Sequence, residues 1–345
     1  YENITIADLE NCIVNTTKMV ENAVIGVTLK ANYNTTIMGK PISSEDTESI
    51  GSGVIYKRVE NKDNDSNITG YTYYAVTNRH VITGNNVNYE YKIYAYLGYE
   101  NLEIEAEIVG YDTKVDMAVI KFEHSTLIQP VEFANSDEVE KGQFVIAIGN
   151  PDGYDYYGSA TLGIVSGELR YISDDTDGDN VNDFNATYIQ HDASINPGNS
   201  GGGLFTIDGK LIGINTLKVS GDGVEGVGFA IPINSTKDIY QQLIEYNKVK
   251  RPYIGISGID IDEAKSKQYN YPLGIYIRSI EDFSAAQKAG LKVGDIIVEA
   301  DGKTVQTMDE LTEIKNTHKI GDEMTLKINR DGKELTITLT LAEQP

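Results

Sequence analysis

The chain of 345 residues contains one cysteine, Cys12, so no intramolecular disulfide can form and cysteine usage does not mark a compartment. Cys12 reads as a small apolar filler. No run of about 18 apolar residues occurs, which excludes a membrane-spanning helix. Basic residues are scarce, with 29 Lys and Arg against 52 Asp and Glu and a formal net charge of −23. Such a surface repels nucleic acid and anionic lipid, so no nucleic-acid partner is expected. Only four histidines are present, which makes the search for a catalytic base short.

The length suits two or three domains, each large enough to bury a core. The first residue is Tyr1 rather than Met, so the expectation is that an N-terminal segment has been removed. Seven N-x-S/T sequons, including those at Asn3, Asn34 and Asn185, are read as products of an Asn- and Thr-rich composition rather than as glycan sites.

The most informative stretch is 190–203, QHDASINPGNSGGG. Ser200 stands among Gly198, Gly201, Gly202 and Gly203, and neighbours without side chains let a substrate reach main-chain N–H groups. A nucleophilic serine with a backbone oxyanion hole requires this, although a Gly-rich turn between strands would read the same way.

A serine nucleophile needs a base, and the base an orienting acid. His80 ends the β-prone run YTYYAVTNRH, where a sheet can hold it. His124 follows AVIKFE and reads as a solvated turn. His191 is near Ser200 in sequence but separated from it by a strand and a loop, and His318 closes an amphipathic stretch far downstream. His80 is the first choice and His191 the second. Asp116 opens the apolar strand DMAVIKF, where a carboxylate can be enclosed and still accept an imidazole N–H. Its rival, Asp112 in GYDTK, has the neighbours of an exposed turn. The order His80, Asp116, Ser200 is that of chymotrypsin-like enzymes.

Ordered motifs run along most of the chain: GSGVI (51–55), VTNRHVI (76–82), VDMAVIK (115–121), IGNPDG (148–153), TLGIVSG (161–167), QHDASINPGNSGGGL (190–204), LIGINT (211–216) and GVGFAIPI (226–233). By these motifs the chain resembles the HtrA-type serine proteases, a trypsin-like protease domain followed by a PDZ domain. The resemblance implies His80 as general base, Asp116 as its orienter and Ser200 as nucleophile. It also implies an oxyanion hole from backbone N–H groups at Gly198 and Ser200, with Asn199 between them. Two departures stand out. Gly203 follows GNSGG, where the family has small residues or Pro. His191 takes a place usually held by a small hydroxyl residue; it reads first as a partly exposed strand histidine, with an added titrating group near the cleft as the alternative.

The expected fold is mainly β: a chymotrypsin-like double β-barrel followed by a small α+β PDZ domain. Many short β-prone runs separated by turns support barrels, and polar insertions near 32–49 and 60–70 read as surface loops. The expected division is an N-terminal segment 1–22, a protease domain 23–248, a linker 249–251 and a PDZ domain 252–345. Residues 234–248 read as a helix, with Ile239, Leu243 and Tyr246 at helical spacing, Asn234 or Ser235 as cap and basic residues at its end. It is expected to pack on the second barrel. In the PDZ domain, Tyr253, Ile254, Gly255 and Ile256 would bind a peptide C-terminus, which adds as a strand beside 256–259.

Asp175, Asp177, Asp179 and Asp183 form D-x-D-x-D-x-x-x-D with Gly178 at the bend, a pattern similar to oxygen-rich Ca²⁺ loops but without the final Glu of an EF-hand. A solvated acidic loop is the alternative. The family's loop at this place is regulatory, so Ca²⁺ ordering of 174–183 is the expectation to test. No cofactor is needed for the chemistry. Ser194, six residues before the nucleophile, would floor the primary specificity pocket, with Thr216, Leu217 and Lys218 along its walls. With no acid at the floor, an aliphatic residue before the scissile bond is expected. The resemblance further implies an extracytoplasmic enzyme, secreted or anchored, that degrades unfolded or damaged proteins. Homotrimers would form through N-terminal segments. A chaperone or peptide-binding scaffold, or a dedicated processing or virulence protease, are the alternatives.

Overall fold

The computed structural model describes residues 5–37, 40–84, 86, 89–174, 184–216 and 226–344. The chain falls into two compact units, Tyr1–Val249 and Lys250–Pro345. In the first, α1 (Ile6–Val20) precedes six strands: β1 (Val24–Ile37), β2 (Lys40–Lys62), β3 (Ile68–Asn78), β4 (Glu90–Leu97), β5 (Leu102–Asp112) and β6 (Met117–His124). A one-turn helix α2 (Arg79–Ile82) follows β3. These strands close a barrel in the order β1-β2-β3-β6-β5-β4. Strands β7 (Phe144–Gly149), β8 (Ser159–Asp174), β9 (Phe184–His191), β10 (Gly203–Thr206), β11 (Leu211–Thr216) and β12 (Gly228–Pro232) close a second, ordered β10-β11-β12-β9-β8-β7.

Alternation explains the inner faces. In β4, Ile93, Ala95 and Leu97 are buried two residues apart, as a half-buried strand dictates. The second barrel has its own core of Val145, Ala147, Val165, Ile189, Leu204, Ile212 and Ala230.

The segments expected as surface loops are largely strand. Residues Val24–Ile37 pair with Lys40–Val54, and β2 pairs with β3 out to Lys62↔Ile68. A two-stranded ribbon satisfies its backbone along the shared ladder, so its side chains can be polar on both faces and hide the alternation that marks a half-buried strand.

Helix α1 begins with a capping box, in which Thr5 Oγ1 accepts from the Asp8 N–H and Asp8 Oδ2 accepts from the Thr5 N–H. It lies on the turn between β10 and β11, where the Cys12 thiol and the Thr16 hydroxyl both donate to the Ile207 carbonyl. Helix α3 (Ile233–Tyr246) starts on Pro232 without a side-chain cap and ends on Asn247 in the left-handed conformation, not on a basic turn. It touches β5 and β6 of the first barrel as well as β11 and β12 of the second. Tyr240 and Leu243 are fully buried there while Tyr246 is exposed, so α3 ties the barrels together. Cutting Leu243 to Ala would cost about 2–5 kcal/mol by transfer and cavity terms.

The second unit holds β13 (Pro252–Tyr253), β14 (Ile256–Ile261), α4 (Glu263–Tyr269), β15 (Gly274–Ile280), α5 (Ala285–Ala289), β16 (Ile296–Ala300), β17 (Lys303–Thr304), α6 (Met308–Asn316), β18 (Glu323–Arg330), β19 (Lys333–Thr340) and β20 (Ala342–Glu343). Its main sheet runs β14-β15-β16-β18-β19, with β17 on β16, so β14 is an edge strand. Helix α4 was not anticipated because it buries no residue and carries no apolar stripe. Only its cap, Asp262 Oδ1 accepting from the Lys265 N–H at 2.8 Å, marks it.

Candidate active site

His80 stands in α2, directly after β3, and Asp116 ends the turn between β5 and β6. The ladder of β3 with β6 runs to Asn78↔Met117 and brings the two together. Asp116 Oδ2 lies 2.7 Å from His80 Nδ1, and Asp116 Oδ1 accepts the His80 backbone N–H at 3.0 Å. The Asp116 carbonyl accepts from the Arg79 N–H and from Asn78 Nδ2, each at 3.0 Å. Asp116 holds φ +52°, a left-handed conformation rare outside glycine. Four hydrogen bonds to one residue offset that strain. The carboxylate is buried while the imidazole is 40% exposed, so the base faces solvent and its partner does not.

Ser200 is buried, and among the described residues its Oγ has no hydrogen-bond partner, His80 included. Such contacts are often loose without substrate. The joint that carries it is Gly51–Ser52. The Ser52 N–H donates to the Ser200 carbonyl at 2.8 Å, and the Ser52 carbonyl accepts from Thr77 Oγ1 at 2.7 Å. A side chain at Gly51 would meet Val81 at 2.6 Å and the Ser200 carbonyl at 3.0 Å, so only glycine lets the two segments close.

Residues 196–199 form a turn closed by the Asn199 N–H on the Asn196 carbonyl at 3.0 Å. Pro197 and Gly198, the latter at φ +99°, fill its centre as a type II turn requires. Among the described residues, the N–H groups of Gly198 and Ser200 have no acceptor within the chain. Loop 150–158 braces this turn. The Asp152 N–H donates to the Pro197 carbonyl at 2.9 Å, and Ser52 Oγ donates to the Gly198 carbonyl at 2.7 Å. Asn150 donates from Nδ2 to the Ile25 carbonyl at 2.8 Å. Tyr154 stacks on Tyr96 at 3.7 Å between ring centroids, and its hydroxyl lies 2.6 Å from both Thr28 Oγ1 and Glu103 Oε1. Burial pushes the Tyr154 hydroxyl up, so it stays a donor. Sequence reasoning missed Ser52, Asn78, Asn150 and Tyr154, although the motifs GSGVI, VTNRHVI and IGNPDG contain the first three.

The other candidates are dispersed. Asp112 is not on an exposed turn; it is buried at the end of β5, whose last ladder pair is Asp112↔Met117. His124 closes β6 rather than lying in a solvated turn, and its Nε2 is 3.1 Å from Glu100 Oε1. His318 follows α6, with Nε2 at 2.7 Å from Asp301 Oδ2. His191 is not partly exposed. It is fully buried at the end of β9, where burial drops its pKa to about 4 and keeps it neutral. The reason is register: His191 faces the interior opposite Gly228, which leaves room for the ring.

Of the pocket residues, Ser194 is exposed and Thr216 buried, whereas Leu217 and Lys218 lie outside the described residues. Asp175, Asp177, Asp179 and Asp183 also lie outside them. Among the described residues, no cluster of three or more His, Cys, Asp or Glu is placed to hold a metal.

In the second unit, Gly255 has φ +85°, its carbonyl accepts the Glu281 N–H at 3.0 Å, and the Ile254 carbonyl accepts the Ala286 N–H at 2.8 Å. Tyr253 donates its hydroxyl to Glu281, and Ile256 begins the edge strand. Helix α6 flanks that strand, with the Met308 N–H on Asp260 Oδ1 at 2.9 Å. An open edge beside a helix is the geometry that takes an added strand.

Residues 51–214 match the trypsin-like peptidase domain family, and residues 252–341 match the PDZ domain family. The chain is 39% identical over 343 residues to the serine protease Do-like HtrA of Bacillus subtilis (strain 168), covering 94% of this chain and 72% of that protein. It is 36% identical over 273 residues to the periplasmic serine endoprotease DegP of Escherichia coli (strain K12), covering 78% of this chain and 54% of that protein. Among solved structures, the HtrA-type protease AlgW with a decapeptide aligns at a TM-score of 0.74 and 26% identity, over 96% of this chain and 99% of that one. The serine endoprotease from Yersinia pestis aligns at 0.65 and 29% identity, over 96% of this chain and 98% of that one.

Proposed function

Because the chain belongs to the HtrA/DegP-type serine proteases and is a serine endopeptidase with a PDZ domain, we propose that it degrades unfolded or damaged proteins outside the cytoplasm through a His80–Asp116–Ser200 triad. The observation that carries the catalytic assignment is the double hold of Asp116 on His80. Ser200 Oγ attacks the scissile carbonyl, forming the C–O bond while His80 takes the hydroxyl proton. The tetrahedral intermediate collapses as His80 returns that proton to the leaving amine, and water then repeats the cycle on the acyl-enzyme. Asp116 accepts from Nδ1, fixes the tautomer and stabilises the imidazolium. The N–H groups of Gly198 and Ser200 receive the oxyanion, each worth about 3 kcal/mol in comparable enzymes.

The extracytoplasmic reading is supported by the periplasmic relatives and by the acidic composition. Among the described residues no helix is long and apolar enough to cross a membrane. The edge strand β14 supports capture of peptide C-termini at Tyr253–Ile256, and a peptide accompanies the AlgW structure. Exposed Ile6, Val14 and Met19 on α1 support assembly of copies as a homotrimer through the N-terminal segment. The aspartate spacing of 175–183 is what supports Ca²⁺ ordering of that loop; calorimetry at millimolar Ca²⁺ tests it, and the absence of binding ends that part of the reading. The quality-control role is tested by proteome-wide cleavage profiling. Many unrelated unfolded substrates support it, while a single cleaved target points to a dedicated processing protease.

A further inference from the structure

Ser52 and Asn150 are fully buried, and their side chains form a polar knot that ends on the nucleophile turn. The Asn150 backbone N–H and its Nδ2 both donate to Ser52 Oγ, at 2.9 and 3.1 Å. Ser52 Oγ lies 2.7 Å from the Gly198 carbonyl oxygen. A hydroxyl has one proton to give and two lone pairs to accept with. Asn150 takes both lone pairs, so the proton is left for the Gly198 carbonyl. The Asn150 amide is itself held one way round. Its Oδ1 accepts the Gly158 N–H at 2.9 Å, and its Nδ2 also donates to the Ile25 carbonyl at 2.8 Å. Exchanging oxygen and nitrogen would break these bonds, so the network fixes the amide. The direction of the Ser52 proton is thus set by β1, β2 and the two ends of loop 150–158.

That proton holds a residue with no side chain to restrict it. Gly198 sits at φ +99°, and only hydrogen bonds keep its two peptides in place. In the peptide before it, the Pro197 carbonyl accepts the Asp152 N–H at 2.9 Å. The N–H and C=O of a planar trans peptide point opposite ways, so this bond turns the Gly198 N–H away from Asp152. In the peptide after it, the Asn199 N–H goes to the Asn196 carbonyl and the Gly198 carbonyl to Ser52. At the far end of the turn, the Ser52 backbone N–H donates to the Ser200 carbonyl at 2.8 Å. Ser52 therefore grips the carbonyls of Gly198 and Ser200, the two residues whose N–H groups have no acceptor among the described residues. Its own carbonyl accepts from Thr77 Oγ1 at 2.7 Å, three residues before His80, so base and turn share one anchor.

We propose that Ser52 is a positioning residue of the peptidase reaction: its hydroxyl proton, aimed by Asn150, locks the Gly198 carbonyl and keeps the Gly198 and Ser200 N–H groups converged on the oxyanion. The proposal rests on the protease reading above. Ser52 is fully buried, out of reach of substrate, and acts through Gly198. The oxyanion exists only after Ser200 has attacked. Loss of the lock therefore raises the barrier to the transition state and spares the binding of substrate. A residue that merely filled space would not separate the two.

The test measures kcat and KM on a casein-derived peptide with a mapped cleavage site, for the full chain, Ser52→Ala and the hydroxyl-bearing Ser52→Thr. A peptidyl boronic acid of the same sequence reports the oxyanion site, because its adduct with Ser200 places an oxygen there. The cleaved product peptide reports ground-state binding. Ser52→Ala should lower kcat by about tenfold or more and weaken the boronate in step, with KM and product binding within about twofold. Ser52→Thr should recover most of both. A kcat within about twofold of wild type in Ser52→Ala, or equal losses of boronate and product binding, would overturn the proposal. So would a Ser52→Thr that folds by circular dichroism and is no more active than Ser52→Ala. Should Ser52→Ala fail to fold, Ser52→Cys fills the same space with a weak donor; the same drop supports the lock and unchanged values refute it. Ser200→Ala separates the two claims. Cleavage that survives it sinks the protease reading and the proposal together, whereas a loss in Ser200→Ala alone leaves the protease reading standing and sinks the lock.

Discussion

Asp116 holds His80 at two points at once, through Oδ2 on the ring Nδ1 at 2.7 Å and Oδ1 on the backbone N–H at 3.0 Å. The first contact sets the tautomer and the second sets where the ring begins. The residue that makes both sits in a left-handed conformation that its surroundings hold in place.

Asp116→Asn should therefore keep the fold and lose the chemistry. An amide can still meet the backbone N–H through its oxygen, but its NH₂ group opposite Nδ1 favours the wrong tautomer. The expected loss is about 10⁴-fold in kcat, measured on a cleavable peptide, with circular dichroism unchanged.

Tyr154→Phe removes the hydroxyl contacts with Glu103 and Thr28 but leaves the ring on Tyr96. The loop that braces the Pro197–Gly198 turn then loses its anchor on the first barrel. Because the turn acts on the oxyanion and not on bound substrate, kcat should fall by about tenfold with KM little changed. A fall in KM binding with kcat intact would place Tyr154 elsewhere in the mechanism.

His191 gives a stability signature of known sign. Its pKa is lowered by burial from 6.5 to about 4, so on acidification the unfolded chain takes up a proton that the native chain refuses. Stability conferred by the neutral ring is complete above pH 6.5 and declines as pH falls toward 4. The size is on the order of 3 kcal/mol. Urea unfolding at pH 7 and pH 4.5 should show His191→Thr losing less stability than wild type over that window.

Gly255→Val should abolish peptide capture while sparing the peptidase. A Cβ there would lie 2.2 Å from Ser284 Cβ, and φ +85° is strained for a branched residue. Fluorescence polarisation with a C-terminal peptide should show at least tenfold weaker binding, since strand addition needs this loop intact. Cleavage of a short peptide substrate should stay within about twofold, as the change leaves the residues of the peptidase unit intact.

The sequence made some of this legible for physical reasons. His80 at a strand end and Asp116 before an apolar strand are positions that alternation and turn residues mark. The nucleophile turn shows itself through glycines that no core strand needs. What stayed hidden depends on register. Whether His191 points into a barrel or out of it changes with a one-residue slip, and only its pairing with Gly228 decides. Asn150 and Tyr154 act through contacts on strands more than 50 residues away, such as Ile25 and Glu103, which no local pattern records. The long ribbon of β1 and β2 was hidden because its polar residues read as a loop.

The central claim is that Ser200 is the nucleophile of an endopeptidase served by His80. Casein cleavage by the full chain and by Ser200→Ala, followed by gel and mass spectrometry, tests it most directly. The account predicts fragments from the wild type and none from Ser200→Ala, with fluorophosphonate labelling lost in step. Equal cleavage by the two proteins, or labelling at a residue other than Ser200, would contradict it.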